Sequence, residues 1–427
     1  MLRNITLNHI TKIEGHAKLD LAIDNGKVTT CHLSATEGAR YFEGLVKNRK
    51  FYEAHEMTSR ICGICSCGHV VAAVQAIEDA LGFQPSAQTF RLRELLTLGE
   101  RIRSHATHLY FLALPDYLGY ESALAMAPTY KAELMKALGL MKIGNAIVKL
   151  LGARDLHPVS ATPGGWLHLP STGELRAVAK ELEKAKKDAI ATCSLFASLT
   201  HPDFDSPSEW FSLKHESEYA MLRGDFHSPR VVFECHKLHD FVREYHEDYS
   251  TANFVVVKGG RQYMLGALPR LNNNASQLSK DAKAMVKKVR LRLPSSNPYH
   301  QNLAQAIELI HAIDHAHDIC SALEVTDEKP PKLSPKAGHG IAAVEVPRGT
   351  LWHEYTLDAD GMITYANIIT PTAQNLLSMQ EDIKRVLPSI LGKKKEDIVM
   401  DVEKLIRAYD PCFSCSAHFL EVNWDEH

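Results

Sequence analysis

Arg60-Ile-Cys-Gly-Ile-Cys-Ser-Cys-Gly-His69, near the start of the chain, and Asp410-Pro-Cys-Phe-Ser-Cys-Ser-Ala-His418, near its end, decide how this sequence folds. Each carries a Cys-x-x-Cys pair, Cys62/Cys65 and Cys412/Cys415, with a histidine three or four residues beyond the second cysteine. Two intervening residues let both sulfurs reach one metal from a tight turn or a helix start. A helical pattern beginning at Gly68 sets its positive end near the first pair, which favours thiolates there. The pairs lie 350 positions apart (412 − 62), so shared chemistry requires one fold that brings the ends together.

On spacing alone, four thiolates suit structural zinc best, with a four-iron cluster and a redox dithiol as further readings. A disulfide framework fits poorly, because the chain has 427 residues and an odd number of cysteines, nine. Scattered Cys31, Cys193, Cys235 and Cys320 read as small buried hydrophobes. Composition is ordinary for a globular protein, at 45% apolar and 23% charged, and a net charge of −3 gives no pull toward nucleic acid. No run reaches the roughly 18 apolar residues of a membrane span. The first twenty residues alternate apolar and polar, with neither the apolar stretch of a signal peptide nor a twin-arginine signal. That pattern favours a cytoplasmic location, although some such chains are exported with a signal-bearing partner.

Around the two motifs the elements alternate between small sheets and long helices. Residues 4–35 read as strands turning at Asn25-Gly26. Helices are expected over 68–81, 87–114 (closed by Pro115), 122–152, 172–198, 299–323, 373–387 and 396–408. The stretch 200–262 reads as loops and short strands, and 326–340 as a Pro-rich connection. Residues 341–345, 351–357 and 362–369 read as strands, with a turn at Asp360-Gly361. The expectation is a mostly helical α+β fold with small sheets near both ends. It has no internal repeat, no low-complexity tract and no linker. One domain over 1–427 would contain the first motif and hairpin (1–82), a helical core (83–325), the second sheet and motif (341–418) and an extension (419–427).

A zinc knuckle does not need Arg60 before its first cysteine, nor Asp410-Pro411 before its second pair. Together the two stretches resemble the signature motifs of nickel–iron hydrogenase large subunits. Thr11-Lys-Ile-Glu14-Gly-His16 looks like that family's N-terminal Glu-Gly-His element, and His105-Ala-Thr-His108-Leu-Tyr110 like its His-x-x-His-aromatic helix. Pro347-Arg348-Gly349 and Thr370-Pro371-Thr372 look like the two elements around the iron. The stretch from Ser104 to Tyr120 and the compact length look closest to the cytosolic, multisubunit branch of sulfhydrogenases and NAD(P)-linked enzymes.

The resemblance implies a helical bundle with both motifs brought together, and reversible oxidation of H2. It implies Cys62 and Cys412 as terminal nickel ligands and Cys65 and Cys415 as bridges to an iron that carries carbon monoxide and cyanide. Arg348 would hang over the open side of the site and touch one cyanide. Thr372 and the backbone near Pro371 would serve the other. Glu14 would exchange protons with the thiolates, and His69 would bond a bridging sulfur. Glu43, the carbonyl of Leu351 and His418 would hold magnesium (or iron), with water completing the shell.

Partners follow from the same resemblance: an iron–sulfur small subunit, flavin and NAD(P)-binding subunits with further iron–sulfur clusters, and a maturation endopeptidase. The acceptor would be NAD(P), ferredoxin or polysulfide. No Gly-x-Gly-x-x-Gly occurs here, so nicotinamide binds elsewhere.

Three departures stand out. Ser104 takes a place where many members have Asp, and Cys67 is an extra thiol that reads as packed. Nine residues, Phe419 to His427, follow the histidine after which the family's endopeptidase usually cuts. His311, His315 and His317 read as satisfied or solvated histidines, not as a site. The other readings are a non-catalytic, quinone-docking relative, which generally loses the cysteines, and a zinc scaffold, which has no use for Glu14, Arg348 or Thr372.

Overall fold

The computed structural model describes residues 3–25, 27–38 and 41–417; His418 and the extension to 427 lie outside them. Strands β1 (Arg3–Leu7), β2 (Ala17–Asp24) and β3 (Lys27–Ala35) form an antiparallel sheet in that order. Alternation explains its seating: Ala17, Leu19, Leu21 and Ile23 are buried while the residues between them are more open. Short helices α1 (Phe42–Val46) and α2 (Ala54–Thr58) follow, neither foreseen from the sequence, and lead into α3 (Ser66–Ala80).

The helical core comes next. Helix α4 (Ala87–Thr107) starts at Ser86, whose hydroxyl accepts the Thr89 N–H. The sequence pattern places the end of this helix at Pro115. Instead the chain passes through a π-helical turn, His108–Ala113, into α5 (Leu114–Leu118). Pro115 falls in the first turn of α5, where its missing N–H leaves no intrahelical bond unmade. The helix expected over 122–152 is divided: after a short turn at Ala123–Met126 and Pro128, α6 runs over Lys131–Gly152. Then come α7 (Thr172–Ser198), α8 (Ala267–Asn274) and α9 (His300–Ala322). Helix α9 packs along α7 and α4 and is buried on nearly every side, as a central helix should be.

Between α7 and α8 the chain makes short strands and loops, as expected. A long-stranded antiparallel sheet follows near the end of the chain: β4 (Gly338–Val346), β5 (Gly349–Leu357) and β6 (Ile363–Ile369), in that order. Its β4–β5 hairpin turns at Pro347-Arg348, with Val346 opposite Gly349. Helix α10 (Pro371–Ile390) begins on Pro371, two residues earlier than expected, and α11 (Lys395–Ala408) delivers the chain to the second motif. Among the described residues no helix is long and apolar enough to cross a membrane.

Helix α3 lies across β4 and β5. Gly68 makes that approach close: a Cβ there would stand 2.1 Å from a Val346 methyl. The first cysteine motif is thereby laid against the hairpin that carries Arg348.

Candidate metal centre

Four sulfurs, those of Cys62, Cys65, Cys412 and Cys415, lie within 4.8 Å of one another and are all buried. Cys62 sits in extended backbone, and Cys65 caps the N-terminus of α3 with its N–H 3.2 Å from Cys62 Sγ. The ends of the chain meet across the motifs: Cys62 Sγ is 3.6 Å from Cys412 Sγ, and Cys65 Sγ is 3.4 Å from Cys415 Sγ. Two thiolates on one metal, each about 2.3 Å from it, stand roughly 3.3–3.8 Å apart, so both cross-motif pairs have the spacing of shared ligands. Within the second motif the Cys412 and Cys415 sulfurs are in bonding contact, and ligation by all four requires that pair as thiolates. Burial raises the Cys62 thiol, but hydrogen bonds from Cys65 and the charge of Arg348 outweigh it, and the net shift is downward. Burial first, and then Cys62, push Cys65 well above the usual range.

Glu14 comes to this cluster on the chain between β1 and β2. Its Oε2 stands 2.8 Å from Cys412 Sγ, and its carbonyl accepts the Phe413 N–H at 2.9 Å. Gly15 crosses the second motif with φ 81°; a Cβ would meet Ser414 N at 2.5 Å.

Arg348 lies on the other side, 3% exposed. Its Nε donates to the Asp410 carbonyl at 2.8 Å, and Nη2 stands 3.2 Å from Asp410 Oδ1. Nη1 is buried and makes no hydrogen bond among the described residues. The turn beneath it is pinned. Arg270 donates to the carbonyls of Val346 and Pro347, and Arg101 to that of Glu345. Both arginines converge on Glu308, with His105 and Tyr219. Burial opposes charge on Glu308, but Arg270 and Arg101 outweigh it and hold the carboxyl well below the usual range.

The remaining expected residues fall around the sulfurs. Thr372 Oγ1 accepts the Cys412 N–H at 2.8 Å, which leaves its own proton to donate, and Pro371 is buried beside it. His69, one turn into α3, places Nδ1 3.0 Å from His353 Nε2, and His353 Nδ1 meets Tyr355 Oη at 2.8 Å. The described contacts of His69 thus include a histidine partner that the sequence did not announce. Leu351, His353 and Tyr355 share one face of β5 by simple alternation, which is the signal that was there to be used.

Glu43 lies in α1, where its carboxyl accepts the Ile368 N–H of β6; Ile368 pairs with His353 across the sheet. Burial, with Glu244 adding to it, pushes Glu43 up to about 7, so a cation beside it would be favoured. Leu351 is buried on the neighbouring strand, and His418 lies outside the described residues.

Cys67 is fully buried, its N–H on Glu100 at 2.7 Å, which agrees with a packed thiol. The Ser104 hydroxyl is buried and makes no hydrogen bond among the described residues, and the hydrogen bonds of Arg348 among them go to Asp410. His311 and His315 stack, but one accepts from Ser279 N–H and the other bonds Glu94, so they do not converge on a common ligand. Four buried cysteines, a carboxylate against one of them and an unsatisfied guanidinium nitrogen beside them fit a thiolate-held metal centre with small polar ligands.

A profile of the family described as nickel-dependent hydrogenase matches residues 40–150 and 256–418, and a HoxL-like profile matches residues 4–37. Sulfhydrogenase 1 subunit alpha of Pyrococcus furiosus is 36% identical over 423 residues, covering 98% of both chains. The NAD-reducing hydrogenase HoxS subunit beta of Cupriavidus necator is 26% identical over 98% of this chain and 96% of its own. A crystal structure of an NAD+-reducing [NiFe]-hydrogenase in its H2-reduced state superposes with a TM-score of 0.86 at 23% identity, over 97% of this chain and 99% of that one. With both cysteine motifs joined in one buried cluster and these matches spanning almost its whole length, this chain belongs to the nickel-dependent hydrogenase family.

Proposed function

We propose that this chain is the catalytic subunit of a multisubunit nickel–iron hydrogenase that passes electrons from H2 to an iron–sulfur partner subunit. The observation that carries the proposal is the meeting of Cys62 with Cys412 and of Cys65 with Cys415, with Glu14 on one side and Arg348 on the other. Cys62, Cys65, Cys412 and Cys415 would together hold the nickel–iron centre. When bound, the centre would supply the oxidation of H2 to two protons and two electrons.

The residues then divide the remaining work. With the second pair as thiolates, Cys412 Sγ would pass a proton to Glu14 Oε2, which stands 2.8 Å away on the N-terminal segment. Cys415 is the other sulfur that can feed this route. Arg348 Nη1 and the Thr372 hydroxyl would offer donors to small polar ligands of the centre, such as cyanide, with Pro371 beside them. His69 steadies the bridging side of the site through its bond to His353. Glu43 and the Leu351 carbonyl, completed by His418, would hold magnesium (or iron).

Electrons must leave the chain. Among the described residues the four motif cysteines form the one group of metal-ligating geometry, and the other five cysteines form no second set. An iron–sulfur small subunit is the receiver, followed by flavin and NAD(P)-binding subunits; NAD(P), ferredoxin or polysulfide is the final acceptor, in the cytoplasm. A maturation endopeptidase would act on the nine residues past His418. The direct test is H2-dependent reduction of a viologen dye by the purified complex. Activity that disappears in Cys65→Ser supports the proposal. A nickel-loaded complex that reduces no dye under H2 contradicts it.

A further inference from the structure

Glu14 is placed by the chain just before it, and that chain is gripped by a buried charged cluster that none of the steps above uses. Lys12 Nζ meets Asp116 Oδ1 at 2.5 Å, and the other oxygen of Asp116 takes Arg407 Nε. Arg407 Nη1 donates to the Thr11 carbonyl at 2.7 Å, and Nη2 to Glu403 Oε2 at 2.9 Å. The side chains of Asp116 and Arg407 are each 1% exposed. Two positive-φ residues, Lys12 at 56° and Gly15 at 81°, flank the two residues between them, so the segment does not take this path unaided. It is fixed upstream at Thr11 and Lys12, and downstream where Glu14 accepts the Phe413 N–H.

Arg407 also reaches the opposite arm of the site. Its carbonyl meets His108 Nε2 at 2.8 Å, and His108 Nδ1 meets Gln305 Oε1 at 2.6 Å. Gln305 Nε2 donates to Asp410 Oδ2 at 3.1 Å, and Asp410 holds Arg348. His108 opens the π-helical turn, and Asp116 follows it in α5. A π turn takes in one extra residue, which rotates all that follows by about 100°. The turn therefore decides that Asp116 faces the Glu14 segment.

We propose that Asp116, Arg407 and Lys12 are positioning residues: they set the distance of Glu14 from Cys412, and Arg407 ties that distance to the placement of Arg348. The proposal rests on the reading of Glu14 as the proton gate. Removing one member leaves its partners charged in a buried place, so the Glu14 segment shifts while the cysteine ligands, held by other bonds, stay.

The test uses the purified complex carrying Lys12→Gln, Asp116→Asn, Glu14→Gln and the double variant Lys12→Gln/Glu14→Gln. Lys12→Gln is the gentle member, since its side chain is 11% exposed and reaches the cluster from the edge. Nickel per chain, H2 turnover and the solvent hydrogen/deuterium isotope effect are read for each. The expected result is a turnover loss of roughly ten- to a hundredfold in Lys12→Gln and Asp116→Asn at wild-type nickel content. A raised isotope effect and no further loss in the double variant should accompany it. Wild-type turnover in both single variants, while Glu14→Gln fails, overturns the positioning role and leaves the gate standing. Losses that multiply in the double variant, or that follow nickel content, also overturn it. Normal turnover in Glu14→Gln removes the gate and the positioning role together.

Discussion

On the proposed reading, Glu14 and Arg348 are the residues most exposed to single substitutions. Glu14→Gln keeps the shape of the side chain and removes the carboxylate 2.8 Å from Cys412 Sγ. H2 turnover should fall by roughly 100- to 10,000-fold, the usual worth of a positioned proton-transfer group, while nickel content stays normal. Unchanged turnover would mean protons leave another way. Arg348→Lys tests the other side. A lysine cannot reproduce the fork that holds the Asp410 carbonyl and carboxylate while offering Nη1 to the site. Steady-state assay of that variant should show a loss of roughly 100-fold or more in kcat/KM with nickel retained. The placement of both beside the cysteines was legible in the sequence, because each sits in a short motif. Asp116, Arg407 and His353 were not: each is an ordinary residue in an ordinary helix or strand, and only the fold gives it a partner.

Among elements, the crossing of the N-terminal segment over the second motif is the most constrained. Gly15→Ala places a Cβ 2.5 Å from Ser414 N at a φ of 81° that alanine disfavours. The strain alone costs roughly 1–2 kcal/mol and the overlap adds to it. Metal analysis should find this variant depleted of nickel; a full complement would show that the crossing can move aside. Helix α3, helix α4 and the β4–β6 sheet follow from their periodicity. The π-helical turn before Pro115 does not, because local pattern reads a proline as a stop, whereas here the extra residue absorbs it. The short α1 and α2 were also hidden, since a single turn of helix leaves no period to read.

The molecule as a whole keeps several histidines neutral in its interior. Burial, with a smaller effect of Arg93, lowers His55 to about 4; burial lowers His105 to about 4 despite Glu308; burial and then His315 lower His311 to about 3. The unfolded chain protonates them near 6.5, the folded chain only far below. Their stabilisation is therefore complete above pH 6.5 and lost as pH falls from there toward 4. For His55 the difference of 2.5 units (6.5 − 4) corresponds to about 3 kcal/mol when fully expressed. The thermal midpoint should drop steadily between pH 6.5 and pH 4.5, and His311→Gln should flatten that slope. A flat midpoint over this range would contradict the assignment.

At the same scale, the joining of two motifs 350 positions apart (412 − 62) was the legible part, and the metal they hold is the central claim. Metal analysis with infrared spectroscopy of the purified, matured complex tests it most directly. The expected result is about one nickel per chain together with bands of metal-bound carbon monoxide and cyanide. Zinc alone, with no such bands, would contradict it.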